Sequence, residues 1–118
     1  MATTLICYSR CSTCAKAARW LAEHGIEAAW REITTENPTR EELSAWLAAS
    51  GLPVSRFFNT SGMKYREMNL KERVANDPVE ALLTLLATDG MLVKRPILLY
   101  PGGILVGFRE TEWTNALL

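Results

Sequence analysis

The stretch Thr3-Leu-Ile-Cys-Tyr8-Ser9-Arg10-Cys11-Ser-Thr-Cys14-Ala-Lys-Ala17 decides how the chain is read. Its first part, Thr3 to Tyr8, is short, apolar and β-prone, the pattern of a buried strand. From Ser12 the apolar spacing becomes helical. Ala15, Ala18, Leu21 and Ala22 fall on one face with Trp20 beside it, and Gly25 supplies a closing residue. Ile26 to Ile33 is a second strand candidate. Strand, helix and strand within about thirty residues imply a right-handed crossover and parallel strands.

Outward from this unit the pattern turns helical. Asn37-Pro38-Thr39 starts a helix, with Thr39 and Glu42 spaced as a capping box, Leu43, Trp46 and Leu47 as the apolar face, and Ser50-Gly51 as the end. Leu52 to Phe58 reads as a short helical or irregular piece, and Asn59-Thr-Ser-Gly62 as a turn. Met63 to Leu70 is a short helix, with Ser61 as its cap and Tyr65 packed on the core. Asp77-Pro78 opens a helix from Val79 to about Thr88, which Asp89-Gly90 ends. Ile97 to Tyr100 and Ile104 to Gly107 flank Pro101-Gly102-Gly103 as a β-hairpin, and residues 110–117 form a last helix. The expected fold class is α/β: a β-α-β half, a helical insertion over roughly residues 38–90, and a β-β-α half. No repeat, linker or low-complexity segment divides residues 1–118, so one domain is expected.

Composition narrows the function. The chain has 118 residues, 48% of them hydrophobic, with 13 basic and 13 acidic side chains. That balance argues against a protein that grips nucleic acid directly by charge. No apolar run has the length of a membrane span, and the first residues lack the basic region and apolar core of a signal peptide. A cytoplasmic location is expected, where thiols stay reduced. The three cysteines, Cys7, Cys11 and Cys14, lie within eight residues, an odd and clustered set that makes a poor disulfide framework. The one histidine, His24, falls late in a helix, so no metal site is expected.

Cys11 lies where the first strand ends and the first helix begins. Unpaired N–H groups and the positive end of the helix dipole favour a thiolate there, the reactive form of cysteine. Arg10 and Lys16 add positive charge. Cys14, one turn along, is placed to resolve a sulfenic acid or mixed disulfide on Cys11. A C-x-x-C pair between strand and helix of a β-α-β unit points to redox chemistry. Cys7 alternates within an apolar strand and reads as a small hydrophobe, with a role beside Cys11 as the alternative. Arg95-Pro96 precedes a later strand. In a thioredoxin-like fold that strand lies beside the redox cysteine, and a cis bond before Pro96 fits. Arg95 would then face the thiolate, holding an oxyanion or the anionic sulfur. The plainer alternative is a strand-leading proline with a solvated arginine.

Five stretches together carry a resemblance: Cys11-Ser-Thr-Cys14-Ala-Lys-Ala, Glu36-Asn-Pro, Phe58-Asn-Thr-Ser-Gly-Met-Lys-Tyr-Arg66, Asp89-Gly-Met-Leu-Val-Lys-Arg-Pro-Ile97 and Val106-Gly-Phe-Arg-Glu-Thr-Glu-Trp113. In this order they resemble the arsenate reductase (ArsC) family, including its Spx/MgsR and YffB-like branches. The resemblance implies a thioredoxin-like fold with a helical insertion between its halves. It also implies a thiol oxidoreductase with Cys11 as nucleophile, Cys14 and Arg95 as catalytic partners, and Pro96 as a structural residue. The implied substrate is a small oxyanion or a thiol or disulfide, bound by Arg95, Arg10, Asn59 and Arg109. Asn59 and Phe108 stand where the family's reductases carry further oxyanion arginines, and Arg109 adjoins Phe108. Cys7 and Ala15 replace a histidine and an arginine of those reductases. No tightly bound cofactor is implied; the reductant is glutathione with glutaredoxin, or thioredoxin. A monomer is expected. The Spx-like branch implies an alternative, a redox-sensing transcriptional regulator that binds the RNA polymerase α subunit.

Overall fold

The computed structural model describes residues 2–118. In chain order the elements are β1 (Thr4–Cys7), α1 (Ser12–Glu23), β2 (Ala29–Glu32), α2 (Arg40–Ser50), α3 (Met63–Glu67), α4 (Lys71–Asn76), α5 (Val79–Leu86), β3 (Ile97–Tyr100), β4 (Gly103–Val106) and α6 (Glu110–Leu117), with 3₁₀ turns at Val54–Phe57 and Gly90–Leu92. They fall into two units, one made of the chain up to Glu32 together with Arg95–Leu118, the other of Ile33–Lys94.

The first unit holds the sheet, ordered β2-β1-β3-β4. β1 and β2 pair in parallel, with Leu5 opposite Trp30, as the connecting helix requires. β1 pairs antiparallel with β3, and β3 with β4 through the two-residue turn Pro101-Gly102. The result is the thioredoxin-like β-α-β and β-β-α arrangement. Side chains alternate along a strand, so Leu5 and Cys7 share one face. They pack there with Leu98, Leu105, the α1 residues Cys14, Ala17, Trp20 and Leu21, and Trp113 of α6.

Two local expectations shift. The buried stripe of α1 is Cys14, Ala17, Trp20 and Leu21, while Ala15 and Ala22 are exposed. The helix turns toward its largest side chain, because the indole of Trp20 removes far more apolar surface from water than an alanine methyl. β2 is only four residues long; Ile26 and Ala28 precede it and pack against the core without pairing. Gly25 takes the left-handed conformation (φ 69°) just past α1, and the Ile26 N–H returns to the Leu21 carbonyl at 2.9 Å.

The second unit is helical. Thr39 and Glu42 form the full capping box at α2, and Gly51 ends that helix at φ 66°. Asn37 Nδ2 donates to the Ala87 carbonyl at 2.8 Å, joining the approach to α2 to the end of α5. The expected helix over residues 63–70 ends at Glu67, and a separate helix that was not expected, α4, follows from Lys71. Asn69 adopts φ 52°, a conformation its short polar side chain tolerates, and the break lets Leu70 become fully buried. The residue capping α3 is Gly62, with no side-chain cap; Ser61 Oγ instead donates to Asn59 Oδ1 at 3.5 Å. Tyr65 packs edge-on against Phe58. Among the described residues no helix is long and apolar enough to cross a membrane.

Candidate active site

β1 ends at Cys7, and Tyr8-Ser9-Arg10 turns the chain into α1. The Cys11 N–H donates to the Tyr8 carbonyl at 3.0 Å, closing that turn. Cys11 is the N-cap residue: its backbone is extended (φ −91°, ψ 119°), and its carbonyl accepts from the Ala15 N–H at 3.1 Å. Cys11 is half-buried, whereas Cys7 and Cys14 are completely buried. All three are free thiols.

Cys14 is the centre of this group. Its Sγ accepts the Tyr8 backbone N–H at 3.5 Å, and Cys7 and Cys11 are the sulfur neighbours that act on its charge. Its pKa is lowered to about 6, chiefly because the Cys7 thiol donates to it. Burial opposes the shift, but the Tyr8 N–H, the Cys11 thiol and the positive charge of Arg95 add to it. Cys7 moves the opposite way. Its proton is held by the bond to Cys14, by burial and by the negative charge that develops at its neighbours, Glu32 included. One anion thus occupies the buried pair, on Cys14, where the donors point.

Arg95 is half-buried and lies over the Tyr8 ring, 5.3 Å from its centroid. The Arg95–Pro96 peptide is cis. Pro96 is buried, and its carbonyl accepts the Gly107 N–H at 2.8 Å. The fold therefore brings Cys11, Cys14 and Arg95 to one place. Arg10 and Arg109 are exposed, Arg109 as the extended residue before α6. Asn59 belongs to the second unit, where its N–H donates to the Leu92 carbonyl at 2.8 Å. Thr13, Lys16, Arg19, Trp20, Glu23, Phe108 and Glu110 line an open cleft of about 540 Å³ along α1. No group of three or more His, Cys, Asp or Glu among the described residues is arranged to hold a metal ion.

Sequence reasoning placed the thiolate on Cys11; in the structure the Tyr8 amide and the positive charge of Arg95 also favour an anion on Cys14. It missed the Tyr8 amide and the donor role of Cys7. The available signal was the spacing of Cys7, Cys11 and Cys14, which brings a strand end and the first helical turn together.

A sheet of this order, a reduced C-x-x-C pair opening α1 and a cis-proline before β3 define a thioredoxin-like thiol protein. The chain belongs to the ArsC family, whose model matches residues 7–116. It is 47% identical over 113 residues to the uncharacterized protein YusI of Bacillus subtilis, covering 96% of each chain. It is 30% identical to the regulatory protein MgsR of the same organism, over 92% of this chain and 85% of that one. Spx, a global transcriptional regulator of Staphylococcus epidermidis, is 28% identical over 92% of this chain and 82% of its own. Among solved structures, an ArsC-family-related protein of Bacteroides fragilis superposes with a TM-score of 0.93 at 47% identity, covering 98% of this chain and 99% of that one. A possible arsenate reductase of Streptococcus mutans gives 0.84 at 36% identity, over 91% of each.

Proposed function

We propose that the chain is an arsenate reductase-like thiol oxidoreductase of the cytoplasm. The observation that carries this reading is the pairing of a half-exposed Cys11 with a buried Cys14 whose contacts favour the thiolate. Oxidised substrate reaches Cys11, and Cys14 completes the reaction. With a glutathione mixed disulfide, the Cys11 thiolate attacks the glutathione sulfur, the substrate leaves as a thiolate, which takes up a proton, and Cys11 carries the glutathione. The Cys14 thiolate then attacks Cys11 Sγ and expels glutathione as a thiolate, which takes up a proton. A Cys11–Cys14 disulfide remains, and two electrons from glutathione with glutaredoxin, or from thioredoxin, restore the pair. Arg95 holds negative charge at the sulfurs or on an oxyanion substrate, with Arg10 and Arg109 of the same unit as further candidates.

The test is turnover of a glutathionylated peptide, with arsenate assayed in parallel. Wild type turns over at least one of them, Cys11→Ser does not, and Cys14→Ser accumulates the Cys11–glutathione adduct. Full activity in Cys11→Ser would refute the proposal.

The likeness to MgsR and Spx favours a second reading. Here oxidation of the same pair alters a surface that binds the RNA polymerase α subunit. A pull-down with that subunit, reduced and oxidised, supports this if binding depends on the redox state, and removes it if neither state binds.

A further inference from the structure

The thiol that the proposed reaction leaves unused is Cys7. It is fully buried at the end of β1, in the same core cluster as Cys14, and Cys14 Sγ accepts the N–H of Tyr8, the residue that follows Cys7, at 3.5 Å. Cys14 therefore has two sulfur neighbours: Cys11 on the accessible side and Cys7 in the core. We propose that Cys7 is a third redox residue, which attacks Cys14 in the Cys11–Cys14 disulfide, moves the bond inward to Cys7–Cys14 and returns Cys11 as a free thiol. This rests on the Cys11–Cys14 disulfide of the preceding section.

The step balances without an added reactant. The sulfur of Cys7 forms a bond to Cys14 Sγ, the bond from Cys14 to Cys11 breaks, and the electron pair leaves with Cys11. The Cys7 proton ends on the Cys11 thiolate. One disulfide and one thiol are present before and after, so nothing is oxidised overall. Oxidation removes the largest of the influences that hold the Cys7 proton, while burial remains. In the reduced protein Cys7 keeps its proton mainly because it donates to Cys14. Once Cys14 is in a disulfide, its sulfur no longer carries the charge that held this proton. The two sulfurs must close to a bond of about 2.05 Å, and the strand end and first helical turn that carry them are already joined by the Tyr8 N–H to Cys14 Sγ contact.

The consequence is chemical capacity. A Cys7–Cys14 disulfide lies where external thiols cannot reach it, since both residues have no exposed surface. Its reduction runs back through Cys11. Meanwhile the freed Cys11 is again the accessible thiol and reacts with a second oxidant molecule.

Arg10 makes the test direct. Trypsin cuts after Arg10 and Lys16, so Cys7 lies in the peptide 1–10 and the other two cysteines in 11–16. Reduced protein is treated with hydrogen peroxide, quenched with acid at successive times, and blocked with N-ethylmaleimide under denaturing conditions. It is then digested and mapped by mass spectrometry. The expected result is a disulfide within 11–16 at early times. It then converts to a 1–10/11–16 cross-link bearing the maleimide on Cys11, in about half or more of the oxidised protein. In Cys11→Ser the cross-link forms about tenfold more slowly, since the accessible thiol is gone. If the disulfide stays within 11–16 with Cys7 alkylated, the transfer is refuted while the oxidoreductase reading stands. A cross-link through Cys11, or one formed in Cys11→Ser at the wild-type rate, also refutes it. If no disulfide forms at all, the oxidoreductase reading fails, and the transfer with it.

Discussion

The backbone N–H of Tyr8 points at the sulfur of Cys14 from 3.5 Å. The same residue's ring lies under the guanidinium of Arg95, so one tyrosine connects the strand end, the buried thiol and the residue before the cis-proline. An amide fixed by the turn into α1 costs no reorganisation when charge develops on the sulfur, which makes it an effective anion donor.

Arg95 contributes through its charge, so removing the charge has a defined effect. In Arg95→Met the thiolate absorbance of Cys14, followed in the ultraviolet against pH, should titrate above the wild-type value of about 6. The rise is expected to be under about one unit, because Arg95 is the smallest of the lowering influences. Cys14→Ser should remove the step altogether. A step that survives in Cys14→Ser would place the low-pKa thiol elsewhere.

The same thiols set how stability depends on pH. Cys14 titrates near 6 when folded and near 9.0 when unfolded, so between these values the unfolded chain carries about one more proton. Stability should rise with pH across that window, by at most about 1.4 kcal/mol per unit for one proton, and this contribution is lost as pH falls through 6. Cys7 acts in the opposite sense. Its folded pKa is raised above 9.0, so above that pH the folded chain holds the extra proton and stability should fall. Urea unfolding at a series of pH values checks both limbs. A Cys14→Ala variant that keeps the full rise between pH 6 and 9 would refute the assignment.

What could be read from the sequence follows the range of the interactions involved. The Thr39–Glu42 capping box and the last helix at residues 110–117 depend on near neighbours, and the structure has both as expected. The sheet halves were legible because Thr3–Tyr8 and Ile97–Gly107 show strand composition between strong turn residues. The limits of β2 were not, because a strand paired along one side stops where its partner β1 stops. The break at Asn69 was hidden because it reflects burial of Leu70. The placing of Cys11 at a helix start is local and legible. The charge on Cys14 is not, since it depends on Cys7 across a turn and on Arg95 from the other half of the sequence.

Trp113 holds the first unit together at α6. It has no exposed surface, its Nε1–H donates to the Gly107 carbonyl at 3.0 Å, and it meets Trp20 and Phe108 edge-on. Trp113→Phe retains most of the apolar volume but leaves the Gly107 carbonyl without that donor, a loss of about 1–3 kcal/mol. Trp113→Ala adds a cavity and should cost about 3–5 kcal/mol. Equilibrium urea unfolding measures both. Equal losses in the two variants would show that the hydrogen bond, and not packing, dominates at this site.

Gly90 makes a corresponding prediction for the second unit. It is buried, and a methyl group there would fall 2.6 Å from the Ile33 carbonyl oxygen and 2.7 Å from Asn37 Oδ1. Neither neighbour yields easily. One is backbone, and the other belongs to a side chain whose amide is engaged with the Ala87 carbonyl at 2.8 Å. The glycine is therefore required by close approach, whereas Gly51, with nothing within 4 Å, is required by its left-handed backbone. Gly90→Ala should destabilise the protein by about 1–3 kcal/mol, the usual range for forcing extra volume into a filled site. Hydrogen exchange should locate the loss: the amides of α5 and of the Gly90–Leu92 turn should exchange faster, because displacing Asn37 frees the Ala87 carbonyl that ends α5. A stable variant with unchanged exchange there would mean that the backbone at Ile33 moves aside at little cost.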